Sequence, residues 1–154
     1  MKVISNSSPL IFLSAVGLLN LLKEEFGEIL VPEAVYKEVT SNDLKGSNEV
    51  KNAAWIRVQK LANKRSLSFY PVLDEGEEKA IILAIEQKAD LLLIDDLAGR
   101  RASLIHGINV MGTLGFLKVM HRKGRIKNLK NLLDALQKQG FWMGEELYRR
   151  MLEE

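Results

Sequence analysis

The sequence has 154 residues, of which 47% are hydrophobic and 27% are charged, and this fits one globular domain with a single core. It has no cysteine, which excludes disulfides and thiolate metal sites. No apolar run reaches the roughly 18–20 residues of a membrane span, and the first residues lack a signal-peptide pattern. The net charge of +2 favours no class of partner. We therefore expect a cytoplasmic protein without membrane contacts.

In the first half of the chain, short apolar segments alternate with helical patterns. We predict strands at residues 3–5, 29–31 and 55–58. A helix should begin after the first strand with Ser8 as N-cap and Pro9 as its first residue, and Gly17 should interrupt it. A second helix is expected from Pro32 to about Asn42, with Glu38 on or beside its buried stripe. One helical turn at residues 49–54 and a loop at residues 63–68 complete this half.

The second half continues the alternation and contains the clearest helix. That helix is predicted at residues 74–88, and Glu77 lies at the top of its apolar stripe, in line with Ile81 and Ile85. Strands follow at residues 91–94 and 109–111, and helices at residues 98–106, 113–123, 129–138 and 144–152. Such an alternation predicts an α/β fold with a largely parallel sheet that is covered on both faces.

Two adjacent carboxylates, Asp95 and Asp96, directly follow the apolar strand at residues 91–94. Ligands of open α/β sheets gather at the carboxyl ends of the strands. An acidic pair there is costly unless a cation or hydrogen-bond donors neutralise it. The simpler interpretation is that one Asp caps the next helix and the other is solvated.

Other polar residues are expected at the same edge of the sheet. Asn6 follows the first strand, Glu77 opens a helix, and Glu38 lies one to two turns into another helix. Carboxylates without cysteines or a spaced histidine pair suit a hard divalent ion such as Mg²⁺ or Mn²⁺. One or two such ions can activate a water and stabilise the leaving oxygen of a phosphodiester.

Basic residues are concentrated in one segment. From Leu97 to Leu133 the sequence has eight Lys or Arg residues and no Asp or Glu. This segregation suits a polyanionic partner, although a solvated basic helix face is the alternative. The residues expected to contact phosphates are Arg100, Arg101, Arg122 and Lys123.

The chain as a whole resembles the PIN domain, the nuclease-like fold of VapC-type toxins. It is most similar to the prokaryotic PIN-like proteins that open with S-N-x-S-P-L-I, as residues 5–11 do here. The resemblance continues through residues 31–38, 73–77, 92–96, 112–117 and 140–142. Each motif is weak alone, and together they are specific.

The resemblance implies a three-layer α/β/α sandwich with a central, mainly parallel sheet. It implies one domain over residues 1–154, with C-terminal helices from about residue 128 packed on it. Such domains use an acidic quartet to bind Mg²⁺ or Mn²⁺ for RNA cleavage. Carried over, the quartet falls on Asn6, Glu38, Glu77 and either Asp95 or Asp96. Ser8 matches the small hydroxyl residue that supports the first acid, and we group it with the nucleic-acid-binding residues.

Asn6 departs from the family at large, which has Asp at this position. An amide oxygen can ligate a metal but has no charge, so metal affinity and activity should fall. The first hypothesis is a PIN-type ribonuclease that acts on RNA, with a toxin role, a small antitoxin protein as partner and a homodimeric assembly. The second hypothesis is a weakly active or inactive PIN-like module that binds nucleic acid or protein.

Overall fold

The computed structural model describes residues 1–41, 46–62 and 73–153. The loop predicted at residues 63–68 lies outside these ranges. No helix in the described ranges is long and apolar enough to cross a membrane.

A parallel sheet forms the centre of the molecule. Its strands in chain order are β1 (Val3–Ser5), β2 (Ile29–Val31), β3 (Ile56–Val58), β4 (Leu91–Leu93) and β5 (Val110–Met111). They are arranged as β3-β2-β1-β4-β5, and each neighbouring pair is parallel. In the register, Ile4 lies between Leu30 of β2 and Leu92 of β4. The alternation of strands and helices thus correctly predicted a parallel sheet.

Helices connect the strands and cover the sheet on both faces. They are α1 (Ser7–Ala15), α2 (Asn20–Phe26), α3 (Glu33–Val39), α4 (Ser47–Lys51), α5 (Glu75–Gln87), α6 (Leu97–Ile105), α7 (Thr113–Arg122), α8 (Leu129–Lys138) and α9 (Glu145–Leu152). Each residue of β1, β2 and β4 is buried, as expected for strands with helices on both sides. The architecture is the predicted three-layer α/β/α sandwich.

Two predicted helix ends were wrong. The N-cap of α1 is Asn6 and not Ser8, because α1 already begins at Ser7 and the Ser8 hydroxyl bonds to a residue elsewhere in the fold. Helix α3 ends at Val39, short of the predicted Asn42. The Thr40 hydroxyl donates to the Tyr36 carbonyl oxygen at 2.6 Å and closes the last turn.

Candidate active site

The order of the strands creates a crevice at one edge of the sheet. From β1 the chain builds the sheet in one direction through β2 and β3, and β4 and β5 lie on the other side of β1. The turns after β1 and β4 are joined, since the backbone N–H of Asn6 donates to the Leu93 carbonyl oxygen at 2.9 Å. A reversal of this kind is where open α/β sheets bind ligands.

A cleft of about 480 Å³ opens at this point. The structure brings all five residues predicted for the quartet to its walls, together with one further carboxylate and an apolar side. We call it the acidic cleft, and its lining includes Asn6, Ser7, Ser8, Glu38, Asp74, Glu77, Asp95, Asp96, Phe12, Phe141 and Trp142. Five carboxylates on one small cleft repel one another unless protons, cations or donors compensate them.

Glu77 is the buried carboxylate of the acidic cleft. It lies in the first turn of α5 and is only 7% exposed, as its position on the apolar stripe predicted. Its Oε2 has no hydrogen-bond partner among the described residues. Burial, and then the neighbouring carboxyl groups of Asp74 and Asp96, raise the pKa of Glu77 from 4.5 to about 8. The site therefore favours a proton or a cation on this group.

Glycine at position 99 makes room for Glu77. A Cβ at Gly99 would lie 3.1 Å from Glu77 Oε2 and 2.6 Å from Ile94 Cδ1. The first turn of α6 thus approaches α5 closely enough to cover Glu77, and any larger residue would displace one of these side chains.

Asp95 is held by three donors from two other helices. Its Oδ2 accepts from the hydroxyls of Ser8, at 2.8 Å, and Thr113, at 2.7 Å. Its Oδ1 accepts from the Thr113 backbone N–H at 2.6 Å. A carboxylate has about four acceptor positions, so one remains open. Asp95 therefore links α1, α7 and the end of β4 in a fixed arrangement.

Asp96, Asp74 and Glu38 are more exposed. Asp96 is the N-cap of α6 and accepts from the Gly99 N–H at 3.1 Å, and Asp74 caps α5 through the Glu77 N–H at 2.8 Å. Glu38 lies in the last turn of α3 and is exposed at the rim of the cleft. The sequence signal at Asp74 was interpreted only as a helix start, and the structure shows that the same residue also lines the cleft.

Asn6 is buried and lies among the carboxylates. Its side chain makes no capping hydrogen bond to α1, although it occupies the N-cap position. A Cβ at Gly76 would lie 3.7 Å from Asn6 Oδ1 and 3.5 Å from Asp74 Oδ1, so the two side chains flank the same point on α5. The Asn6 amide is thus available to a ligand of the cleft.

The donor set fits a hard divalent ion by its chemistry. Among the described residues, two buried polar side-chain atoms lack hydrogen-bond partners, Ser7 Oγ and Glu77 Oε2, and both residues line the acidic cleft. The cleft otherwise offers carboxylate and amide oxygens, which Mg²⁺ and Mn²⁺ prefer. No three His, Cys, Asp or Glu side chains within the described ranges are grouped closely enough to hold an ion as placed. Binding an ion would require the carboxylates to move closer together.

The predicted phosphate contacts divide into two groups. Arg100 and Arg122 line a second cleft of about 510 Å³, which we call the basic cleft and which meets the acidic cleft at Asp95, Phe141 and Trp142. Arg101 is exposed on α6 away from the lining of both clefts, and Lys123 pairs with Glu25 of α2 at 2.6 Å.

Phe141 and Trp142 form an aromatic wall shared by the two clefts, and the sequence did not predict it. Residues 140–142 contributed to the family resemblance without a role being assigned to them. The available signal was an aromatic pair flanked by glycines in a helix connection, where burial in the core is not required.

Comparison with known proteins agrees with the geometry. A family model described as a PIN domain matches residues 2–154, and the chain belongs to this family. Among solved structures, the chain is similar to a PilT N-terminus domain protein from the hyperthermophilic archaeon Sulfolobus solfataricus P2. The TM-score is 0.54 at 16% identity, over 73% of this chain and 87% of that one, which supports the fold alone. Comparison with the curated proteins gave no match.

Proposed function

We propose that this PIN domain is a ribonuclease that depends on Mg²⁺ or Mn²⁺. The observation that carries the proposal is a pair of buried oxygens, Ser7 Oγ and Glu77 Oε2, that have no partner in the described part of the chain and lie on a cleft that carboxylates surround. Burying a carboxylate without a partner is unfavourable, and such a cost is retained where a ligand compensates it.

In this proposal Glu38, Glu77 and Asp96 would hold the ion, and Asn6 would add its amide oxygen. A bound divalent ion supplies a water activated for attack on phosphorus and stabilises the leaving oxygen. Ser8 and Thr113 would fix the Asp95 carboxylate at the wall of the cleft. Arg100 and Arg122 would hold phosphates in the adjoining basic cleft.

Cleavage of a labelled single-stranded RNA tests the proposal. Wild-type protein should cleave with Mn²⁺ or Mg²⁺ and should stop when EDTA is added. Glu77→Gln keeps the shape of the side chain and removes its charge, so the rate should fall about a hundredfold or more. Glu75→Gln is the matched control, because Glu75 is in the same helical turn but is not part of the acidic cleft lining.

The same experiment distinguishes the proposal from the alternative hypothesis of a binding module, which the uncharged Asn6 favours. If wild-type protein binds RNA but cleaves it with neither ion, the chain is a binding module and the proposal is wrong. If Glu77→Gln cleaves as fast as wild type, the activity belongs to another site or to a contaminating nuclease.

We also propose that the ribonuclease acts as a toxin, and family membership supports this role. Induced expression of the wild-type chain should then arrest bacterial growth, whereas expression of Glu77→Gln should not. Co-expression of a small protein encoded beside this chain should relieve the arrest. Growth that is equally affected by both variants would contradict a toxin role.

A further inference from the structure

Trp142 is an exposed aromatic residue at the junction of the two clefts. Its side chain is 85% exposed, whereas Trp is usually well buried. It lies in the connection between α8 and α9 and contributes to the walls of both the acidic and the basic cleft. Packing in the core therefore does not explain why a large apolar side chain occupies this position.

The connection that carries Trp142 is anchored on both sides of the indole. Phe141 packs edge-on against Phe12 of α1, with ring centroids 4.9 Å apart and an interplanar angle of 80°. The Phe141 N–H donates to the Leu136 carbonyl oxygen at 3.0 Å, and the Gln137 amide donates to the Met143 carbonyl oxygen at 3.4 Å. The backbone next to the indole is therefore held in place.

One edge of the indole lies near Gly144. The six-membered ring comes within 3.7 Å of the point where a Cβ of Gly144 would lie, so a residue without a side chain leaves room for it. The 85% exposure leaves most of the ring surface open to solvent. An exposed indole carried on an anchored backbone is the kind of surface on which a planar ligand stacks.

The charges around Trp142 select the class of planar ligand. Arg100 and Arg122 of the basic cleft are exposed, and neither forms an ion pair with a carboxylate in the described ranges. Lys118 of the same cleft is instead engaged by the carbonyl oxygens of Met151 and Glu153. Two unpaired guanidinium groups beside an aromatic platform suit a strand that combines phosphates with exposed bases.

We propose that Trp142 stacks on an unpaired base of single-stranded RNA whose phosphates contact Arg100 and Arg122. The choice of RNA and its direction toward the acidic cleft rest on the proposed function. A base inside a duplex is already stacked on both faces, so Trp142 would give this nuclease a preference for single strands. Trp142 is a binding residue in this account and has no part in proton or metal chemistry.

Binding in EDTA tests the stacking without requiring cleavage. The probe is a 3′-labelled single-stranded RNA dodecamer, and its anisotropy is measured with wild type, Trp142→Leu, Trp142→Phe and Leu104→Ala. Loss of one stacked base weakens binding about tenfold, so Trp142→Leu should raise Kd by that factor. Trp142→Phe keeps an aromatic face and should remain within about threefold of wild type. Leu104 is 60% exposed on α6 outside both cleft linings and should be neutral.

Fluorescence gives a second readout of the same contact. In a Trp55→Phe background, Trp142 is the sole tryptophan, since the sequence has two. Stacking should quench its emission on addition of the single strand, and the same RNA in a duplex should cause little quenching.

The outcomes separate this proposal from the proposed function. Unchanged affinity of Trp142→Leu, equal losses on single-stranded and duplex RNA, or no RNA binding by wild type would each overturn the stacking. A loss of self-association with unchanged RNA affinity would also overturn it, because Trp142 would then belong to a protein interface. If the predicted binding pattern is found but no variant cleaves RNA with Mn²⁺, the stacking stands and the nuclease assignment fails.

Discussion

The Ser8 hydroxyl donates a 2.8 Å hydrogen bond to Asp95, a residue 87 positions further along the chain. This bond joins the first turn of α1 to the turn after β4, on the two sides of the point where the strand order reverses. It fixes a carboxylate of the acidic cleft from another helix. Thr113 completes the arrangement from α7, so three separate segments determine where Asp95 points.

Removal of the Ser8 hydroxyl should loosen this arrangement. Ser8→Ala leaves part of a half-buried carboxylate unsatisfied, and we expect a loss of about 1–2 kcal/mol in the free energy of unfolding. Because Asp95 directly precedes the proposed ligand Asp96, the loosening should also weaken Mn²⁺ binding, by up to about tenfold. Urea unfolding with and without Mn²⁺ measures both effects. Ser14→Ala is a control, since Ser14 lies outside the acidic cleft lining and its hydroxyl donates to the Ile11 carbonyl oxygen within α1.

The stability of the metal-free protein should fall as the pH rises. The pKa of Glu77 is about 8 in the folded state against 4.5 for an ordinary Glu, so folding favours the protonated form. The contribution of this group is fully present below pH 4.5 and is lost as the pH rises to about 8. Other groups titrate as well, so the useful quantity is the difference between Glu77→Gln and wild type in EDTA.

That difference should grow in favour of Glu77→Gln from pH 5 to pH 8.5, because Gln has no charge to bury. Glu75→Gln should show no such trend. A difference between Glu77→Gln and wild type that does not change with pH would mean that Glu77 is not held in the protonated form.

Divalent ions should stabilise the folded protein. A ligand that binds only the folded state contributes about 2.7 kcal/mol at a hundredfold excess over its Kd. Differential scanning fluorimetry with millimolar Mn²⁺ or Mg²⁺ should therefore show a clear rise in Tm for wild type and a much smaller one for Glu77→Gln. An equal rise in both proteins would place the bound ion elsewhere.

Asn6→Asp tests the one departure from the family pattern. The new carboxylate would lie near Asp74, beside Gly76 of α5, and close to the rest of the acidic cleft, so repulsion should destabilise the variant in EDTA. A divalent ion would offset this repulsion, and the Tm rise with Mn²⁺ should exceed that of wild type. Any nuclease activity should increase as well. Equal Mn²⁺-induced shifts in the two proteins would remove Asn6 from the site.

The sequence predicted those features that depend on local pattern. The buried run at Leu91–Leu93 gave β4, and the apolar stripe of α5 correctly placed Glu77 in the interior. The prediction of Ser8 as the N-cap of α1 was wrong, because its hydroxyl bonds to Asp95 instead of to its own helix. The pairing of Lys123 with Glu25 was likewise invisible, since nothing local connects two residues 98 positions apart.

The site shows the same division between local pattern and tertiary contact. The positions of polar residues at strand ends predicted which side chains would share an edge of the sheet. They did not predict that Asp74 would join them. They also did not predict that Asp95 would have most of its acceptor positions filled while Glu77 Oε2 finds no donor among the described residues. Those differences arise from the packing of α5, α6 and α7 around the place where the strand order reverses, between β1 and β4.

The most direct test of the account is an anomalous difference map from crystals grown with Mn²⁺. We predict a peak in the acidic cleft among Asn6, Glu38, Glu77 and Asp96, and its loss in crystals of Glu77→Gln. A map without a peak in this cleft at saturating Mn²⁺, or a peak there that is unchanged by Glu77→Gln, would contradict the proposed metal site.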